Sequence, residues 1–280
     1  MTDLQNGPVG AIEGLSARGL LVGSYSRRMP VSLERMYENA LDWEHLPHLH
    51  RGAFSSIELI ESGHWGWRAK VGLDPKGTIN GDNFIVLQLH LDRKRHRWIS
   101  STLEGPGAGS EIWTHVFKLD GGDIEVLVDF FIPTNSAAER TKLGSYYQRL
   151  YTGLYDEDEA MMVERQRQLD GRSGPVEGEG EWVLGLVAAL KAQVPLRFKH
   201  QNREFRLIKL AGEWIAHATQ CPHRLGPLGE TEVLAGVVEC PWHGYKFDIR
   251  SGQCLTGQSC QLPPAPTLRE NERGELIVCD

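Results

Sequence analysis

The sequence predicts an α+β chain in two parts: a mixed domain over residues 20–170, and an all-β domain over residues 181–280. Three observations predict it. Residues 54–132 hold a succession of runs that alternate polar and apolar side chains, the period of strands with one buried face, flanked on each side by helix-period runs. Residues 170–180, DGRSGPVEGEG, contain four glycines and a proline and no apolar periodicity, so 171–180 reads as a linker. Beyond it come only short β-rich runs separated by Gly, Pro and Asn signals.

In chain order, Ser32 is placed to cap a helix in which Leu33, Met36, Tyr37, Ala40 and Leu41 recur on one face, predicting a helix through about Leu46. Strands are expected over 54–62, 65–73, 83–92, 98–104, 110–119 and 123–132, with Asp120-Gly121-Gly122-Asp123 favouring a hairpin. A long helix over 137–169 closes the first domain, with Gly153 as a candidate break. In the second domain a short helix is expected over 181–193, ended by Pro195. The runs PLRFKH, EFRLIKLAG, EWIAHAT, VLAGVVEC, YKFDI and ELIVCD then predict a small antiparallel domain.

At 280 residues both domains are large enough to bury cores without staples. The net charge of −7, from 30 basic and 37 acidic side chains mixed along the chain, offers no basic stripe for nucleic acid or an anionic membrane. The longest apolar runs, 84–91 and 182–190, are too short to span a bilayer. Residues 1–15 lack the charged and apolar regions of a secretory signal, so a cytoplasmic location is expected. No repeat of solenoid length is present.

Two short segments carry the chemistry of the second domain. Cys221-Pro222-His223 and Cys240-Pro241-Trp242-His243 enclose the sixteen residues 224–239, giving C-x-H-x16-C-x2-H. Zinc accepts Cys and His, but a zinc finger places its cysteines in one hook and its histidines in the other. Here each hook holds one of each. That alternation resembles a Rieske centre, in which one iron of a 2Fe-2S cluster keeps Cys ligands and the other takes His. The resemblance implies a cluster held by Cys221, His223, Cys240 and His243.

The neighbours of the hooks indicate which kind of Rieske protein is resembled. Respiratory Rieske subunits read CTHLGC and CPCHGSxYD, with a disulfide between the extra cysteines and two hydroxyls bonding cluster sulfur. Here Gly226 and Trp242 stand at the cysteine positions, and Tyr245 and Phe247 at the hydroxyl positions. Losing donors to sulfur lowers the potential, so a value of about −150 mV is expected, as in Rieske ferredoxins and ring-hydroxylating oxygenases. Of the other cysteines, Cys254 and Cys260 could pair, or these and Cys279 could be plain thiols, as a reducing compartment favours.

The first domain holds a second candidate centre. The segment 38–50 contains D-x2-H-x4-H, formed by Asp42, His45 and His50, with His48 between them. Asp42 and His45 share a helical face, while Pro47, by disfavouring helical geometry at Leu46, is expected to turn the chain and bring His50 back. A polar helix end whose histidines meet the dipole is the bland alternative. On the far helix, Glu157-Asp158 followed by Gln166 resembles the segment carrying the carboxylate ligand in Rieske oxygenases; as a plain feature it is a solvated acidic face. Two His and one Asp form the facial triad that leaves positions open for O2 and substrate at ferrous iron.

Over roughly residues 25–280 the chain resembles Rieske non-heme iron oxygenase α subunits of the ring-hydroxylating type, with the domain order reversed. The resemblance implies a START-like helix-grip domain first, with mononuclear Fe(II) on His45, His50 and Asp158, and a Rieske 2Fe-2S domain last. It implies Asp42 as the residue that orients a histidine and links the two centres, and a mono- or dioxygenase acting with O2 on an apolar or aromatic small molecule. It further implies a homo-oligomer, a trimer in the family. Electrons are expected from a separate NAD(P)H-dependent reductase or ferredoxin, since no G-x-G-x-x-G follows a strand. Two readings stay beside it: a Rieske electron carrier fused to a small-molecule-binding domain, and a regulatory module whose His-rich helix binds metal adventitiously. Trp65, Trp67, Phe84, Trp98, Trp113, Phe117, Phe130 and Phe131 could line a cavity or be ordinary core.

Overall fold

The computed structural model describes residues 19–73, 83–171 and 180–279, and the chain divides into two compact units between Val163 and Glu164. The expected linker 171–180 and the first fifteen residues fall almost entirely outside the described residues.

The first unit is built on one antiparallel sheet of seven strands: β1 (Leu20–Met29), β2 (Ser56–Gly63), β3 (Gly66–Gly72), β4 (Phe84–Asp92), β5 (Arg97–Glu104), β6 (Glu111–Lys118) and β7 (Ile124–Ile132). The strand order is β1-β7-β6-β5-β4-β3-β2, so six strands follow as a meander and β1 closes beside the last. The pleat of β7 shows the cause. Ile124, Val126, Val128, Phe130 and Ile132 all point inward and are essentially sealed from solvent, with half-exposed residues between them. Truncating Phe130 to Ala would cost about 3–5 kcal/mol. The Asp120–Asp123 turn joins β6 to β7 as expected, with Lys118 opposite Ile124 and positive φ at Gly121 and Gly122.

Three helices accompany this sheet: α1 (Leu33–Leu41), α2 (Leu46–Leu49) and α3 (Ala137–Asp170), the last belonging to the first unit as far as Val163. The Ser32 hydroxyl accepts from Arg35 N–H at 3.2 Å, the cap read from the sequence. α3 runs 34 residues without a break at Gly153, whose missing side chain faces open space. Gly144 is different: a Cβ there would lie 2.4 Å from the Val22 carbonyl oxygen, so glycine lets the helix press onto β1. Tyr147 and Tyr151 then pack on Phe130 with ring centroids 5.3 and 5.0 Å away. A long helix on an antiparallel sheet is the helix-grip arrangement.

The first helix ends earlier than expected. Asp42, at φ −88° and ψ 72°, leaves helical geometry and closes α1 through its backbone N–H to the Asn39 carbonyl. Trp43–His45 form a 3-10 turn, and Leu46 starts α2 with Pro47 in its first turn instead of stopping a helix. The expected turn at Leu46 is therefore corrected: proline is tolerated in a first helical turn, where its missing N–H would be unpaired in any case.

The second unit carries β8 (Trp182–Leu186), α4 (Val187–Gln193), β9 (Leu196–His200), β10 (Arg203–Leu210), β11 (Glu213–Ala218), β12 (Val233–Leu234), β13 (Val237–Glu239), β14 (Lys246–Asp248), β15 (Thr267–Glu270) and β16 (Glu275–Cys279). They form three antiparallel three-stranded sheets, β11-β10-β9, β12-β13-β14 and β15-β16-β8. Residues 182–186 were expected in a helix and instead pair with β16; only 187–193 are helical. Among the core residues are Leu207 and Val278, with Phe205 stacked on Phe198 at 5.8 Å.

Candidate metal centres

The two hooks of the second unit repeat one backbone design. Hook one follows β11 and hook two joins β13 to β14. In each, the N–H four residues after the cysteine bonds back to the cysteine carbonyl, Leu225 to Cys221 at 2.9 Å and Gly244 to Cys240 at 2.9 Å. The cysteine N–H reaches the carbonyl five residues on, Gly226 in one and Tyr245 in the other, both at 2.8 Å. The fourth residue has positive φ in each loop, 66° at Leu225 and 68° at Gly244.

These matching turns bring the expected ligands together. The His223 and His243 rings lie 4.5 Å apart. Cys221 and Cys240 are buried side by side, close enough to share a proton. The hydrogen bond between them lowers the Cys240 thiol to about 5 and, with burial and the charge on Cys240, drives the Cys221 thiol far up. For both to lose their protons at this separation a cation must lie between them, which the irons of a cluster would supply. The surroundings fit that group. A Cβ on Gly226 would lie 2.6 Å from Cys240 Sγ and 3.2 Å from the Trp242 ring, so glycine allows the loops to close. Tyr245 stacks on His223 at 4.7 Å, with an angle of 16° between the rings.

In the first unit, His45, His50 and Asp158 present ligand atoms all within 4.8 Å of one another, and all three are buried. His50 Nε2 lies 3.2 Å and His45 Nε2 3.5 Å from Asp158 Oδ1. Adjacent ligands about 2.1 Å from a metal are about 3 Å apart, so this donor set fits a facial triad. Further contacts hold it. Asn39 Nδ2 donates to Asp158 Oδ1 at 2.8 Å, and His50 Nδ1 lies 2.7 Å from Glu157 Oε2. Burial favours neutral groups here, yet the hydrogen bonds prevail: Asp158 is held below the usual carboxylate range by His50, and His50 is raised by Asp158 and Glu157.

The triad opens onto a cavity of about 410 Å³ within this unit. Its wall is mainly apolar, including Leu46, Phe54, Leu87 and Leu89, with Trp67 fixed by donation from Nε1 to the Ala40 carbonyl at 2.9 Å. Of the strand aromatics singled out in the sequence, Trp67 and Trp98 line it, whereas Phe130 is core and Phe117 is 51% exposed. Asp42, buried at the end of α1, also lines the cavity. His48 lies outside the cavity lining. Gln166 is exposed and bonds Asp170 at 2.8 Å, so its position after Asp158 does not make it part of the cluster.

Sequence reasoning missed Asn39, which has no motif of its own and is one polar residue on an amphipathic helix. It also missed Tyr147, Tyr151 and Tyr155, which line the cavity from α3; their four-residue spacing was the available signal.

Residues 181–266 match the family described as Rieske [2Fe-2S] domain. Pheophorbide a oxygenase of Oryza sativa subsp. japonica is 40% identical over 74 residues, 25% of this chain and 14% of that protein. Methylxanthine N1-demethylase NdmA of Pseudomonas putida is 30% identical over 79 residues, 28% of this chain and 22% of that protein. The chain thus aligns with less than a quarter of the length of either relative. The Zhui aromatase/cyclase structure from Streptomyces sp. R1128 covers 51% of this chain and 94% of its own, at 15% identity and a TM-score of 0.42. Among the described residues no helix is long and apolar enough to cross a membrane.

Proposed function

We propose, from the premise that residues 181–266 form a Rieske domain, that this chain is an oxygenase that oxidises an apolar or aromatic small molecule with O2. Cys221 and Cys240 hold one iron of the cluster, and His223 and His243 the other. His45, His50 and Asp158 hold a mononuclear Fe(II). When bound, the cluster supplies single electrons and the ferrous ion supplies open positions for O2 and substrate. The observation that carries the reading is the buried His-His-Asp set facing a largely apolar cavity in the unit that precedes the Rieske domain.

The chain's own groups divide the remaining work. Asn39 and Glu157 fix the orientations of Asp158 and His50, as polar neighbours do for metal ligands. The cavity wall excludes water and holds the substrate by apolar contact. Asp42 orients His45 and lies on the electron route into the mononuclear site. The electrons come from an NAD(P)H-dependent reductase or ferredoxin, and the working form is a homo-oligomer.

Metal analysis tests the proposal. An oxygenase holds about three irons per chain and a bare electron carrier about two. His45→Ala, His50→Ala and Asp158→Ala should each lose one iron and keep the Rieske paramagnetic signal. His223→Ala and His243→Ala should lose that signal. Two irons in the wild type, with O2 consumption unaffected by substrate in the presence of a compatible reductase, would establish the carrier instead.

A further inference from the structure

The cavity has a second polar end, away from the metal ligands. Tyr155, Tyr151 and Tyr147 descend one face of α3 from Asp158, and the eleven residues from Tyr147 to Asp158 correspond to about 16 Å of helix. Facing Tyr147 is Ser110, just before β6 at the hairpin end of the sheet, where its carbonyl accepts from Thr102 N–H at 3.0 Å. Ser110 is 3% exposed and lines the cavity, yet its Oγ is sealed from solvent without a hydrogen bond of normal geometry. Within reach of that hydroxyl are the facing Tyr147 and a polar atom of any ligand in the cavity.

The chemistry of that partner is constrained. Burial, and then the neighbouring Tyr146, raise Tyr147, with Ser110 opposing, so Tyr147 stays protonated at neutral pH and can donate. Ser110 is a second donor close to it. Among the described lining residues there is no Lys or Arg, so an anionic group would enter without a counter-charge. A neutral acceptor oxygen satisfies both hydroxyls.

We propose that Ser110 and Tyr147 form a specificity pocket for a carbonyl oxygen, and that the substrate is an elongated, mostly apolar ketone held by its oxygen here while its far end reaches the triad. This rests on reading the cavity as the substrate site of an oxygenase. Each hydroxyl donates one hydrogen bond to the same oxygen, and the intervening apolar wall takes the carbon skeleton.

The test is calorimetric binding to the iron-loaded protein under anaerobic conditions, without reductase. The probes are 2-acetylnaphthalene, the nearly isosteric hydrocarbon 2-isopropenylnaphthalene, and 2-naphthoate. The wild type should bind the ketone at least about fivefold more tightly than the hydrocarbon, and the carboxylate most weakly. Ser110→Ala and Tyr147→Phe should each lower ketone affinity about fivefold, with a much smaller change for the hydrocarbon, which also reports that the cavity is intact. Equal binding of ketone and hydrocarbon, a preference that survives both substitutions, or no saturable ketone binding would overturn the proposal. Iron content on the same samples keeps the two readings separable. A ketone preference without a third iron sinks the oxygenase reading, and a third iron without the preference sinks the pocket.

Discussion

Asn39 donates its side-chain amide to Asp158 Oδ1 at 2.8 Å, joining two helices whose contact residues are 119 positions apart, and both partners are buried. The same oxygen is the one nearest His50 and His45. Three groups therefore converge on Oδ1, and the carboxylate is held by the protein's own side chains.

Removing that anchor should loosen the metal without unfolding the unit. Asn39→Ala is expected to weaken Fe(II) binding 10- to 100-fold, the usual effect of losing a ligand's supporting hydrogen bond. Anaerobic titration with Fe(II) measures it, and an unchanged dissociation constant would show that Asp158 needs no such support.

In the second unit the fit is steric. Gly226→Ala should abolish the cluster, because the added methyl group would lie 2.6 Å from Cys240 Sγ. Loss of the red-brown absorbance, with far-ultraviolet dichroism retained, is the expected result. A normal cluster in this variant would mean that the two loops have more freedom to part than their packing indicates.

Asp42→Asn keeps side-chain volume and removes charge. Both metal sites should remain filled, while substrate-dependent reoxidation of the cluster slows by at least 10-fold, since the carboxylate is proposed to orient His45 and to carry the electron route. Rapid mixing of the reduced protein with substrate and O2 reads this directly. Wild-type rates with full iron would place the route elsewhere.

Asp92, at the end of β4, offers a pH-dependent test of stability. Burial opposes its charge, but bonds from Arg95 at 2.9 Å and Arg97 at 3.2 Å prevail and depress its pKa. A depressed folded value means that its contribution is complete above the unfolded value of about 3.9 and is lost as pH falls through the folded one. Asp92→Asn should therefore cost about 1–3 kcal/mol at pH 7 and progressively less below about pH 4. Urea unfolding followed by tryptophan fluorescence at several pH values checks the sign; a penalty that grows on acidification would contradict it.

Much of this could be read from the sequence because it rests on strong periodicity. The strands from β2 to β7 were placed to within two residues, as alternation with a buried face leaves little freedom of register. β1 was missed. LLVGSYSRRM places Gly23 and Arg27 on the face of Tyr25 and Met29, where a strand pattern wants apolar side chains, and only pairing with β7 makes it a strand. Residues 182–186 were read as helix because a short apolar run looks the same in both states until a partner strand is known. At the triad, the residue types were legible but the turn was not. Asp42 breaks the helix and a new one starts at Leu46 with Pro47 in its first turn, and the backbone geometry responsible has no sequence period.

If the cavity is the substrate site proposed above, the spacing of the three tyrosines makes it a measuring device. Four residues of helix advance the chain by about 6 Å, so Tyr147, Tyr151 and Tyr155 mark even steps away from the His45, His50 and Asp158 cluster. A molecule fastened at the outermost mark presents whichever carbon its own length places at the other end. Regiochemistry would then be set by where the oxygen is caught, far from the atoms that react. Moving the catching hydroxyl by one helical step would shift the oxidised position along the skeleton while the metal site stays as it is.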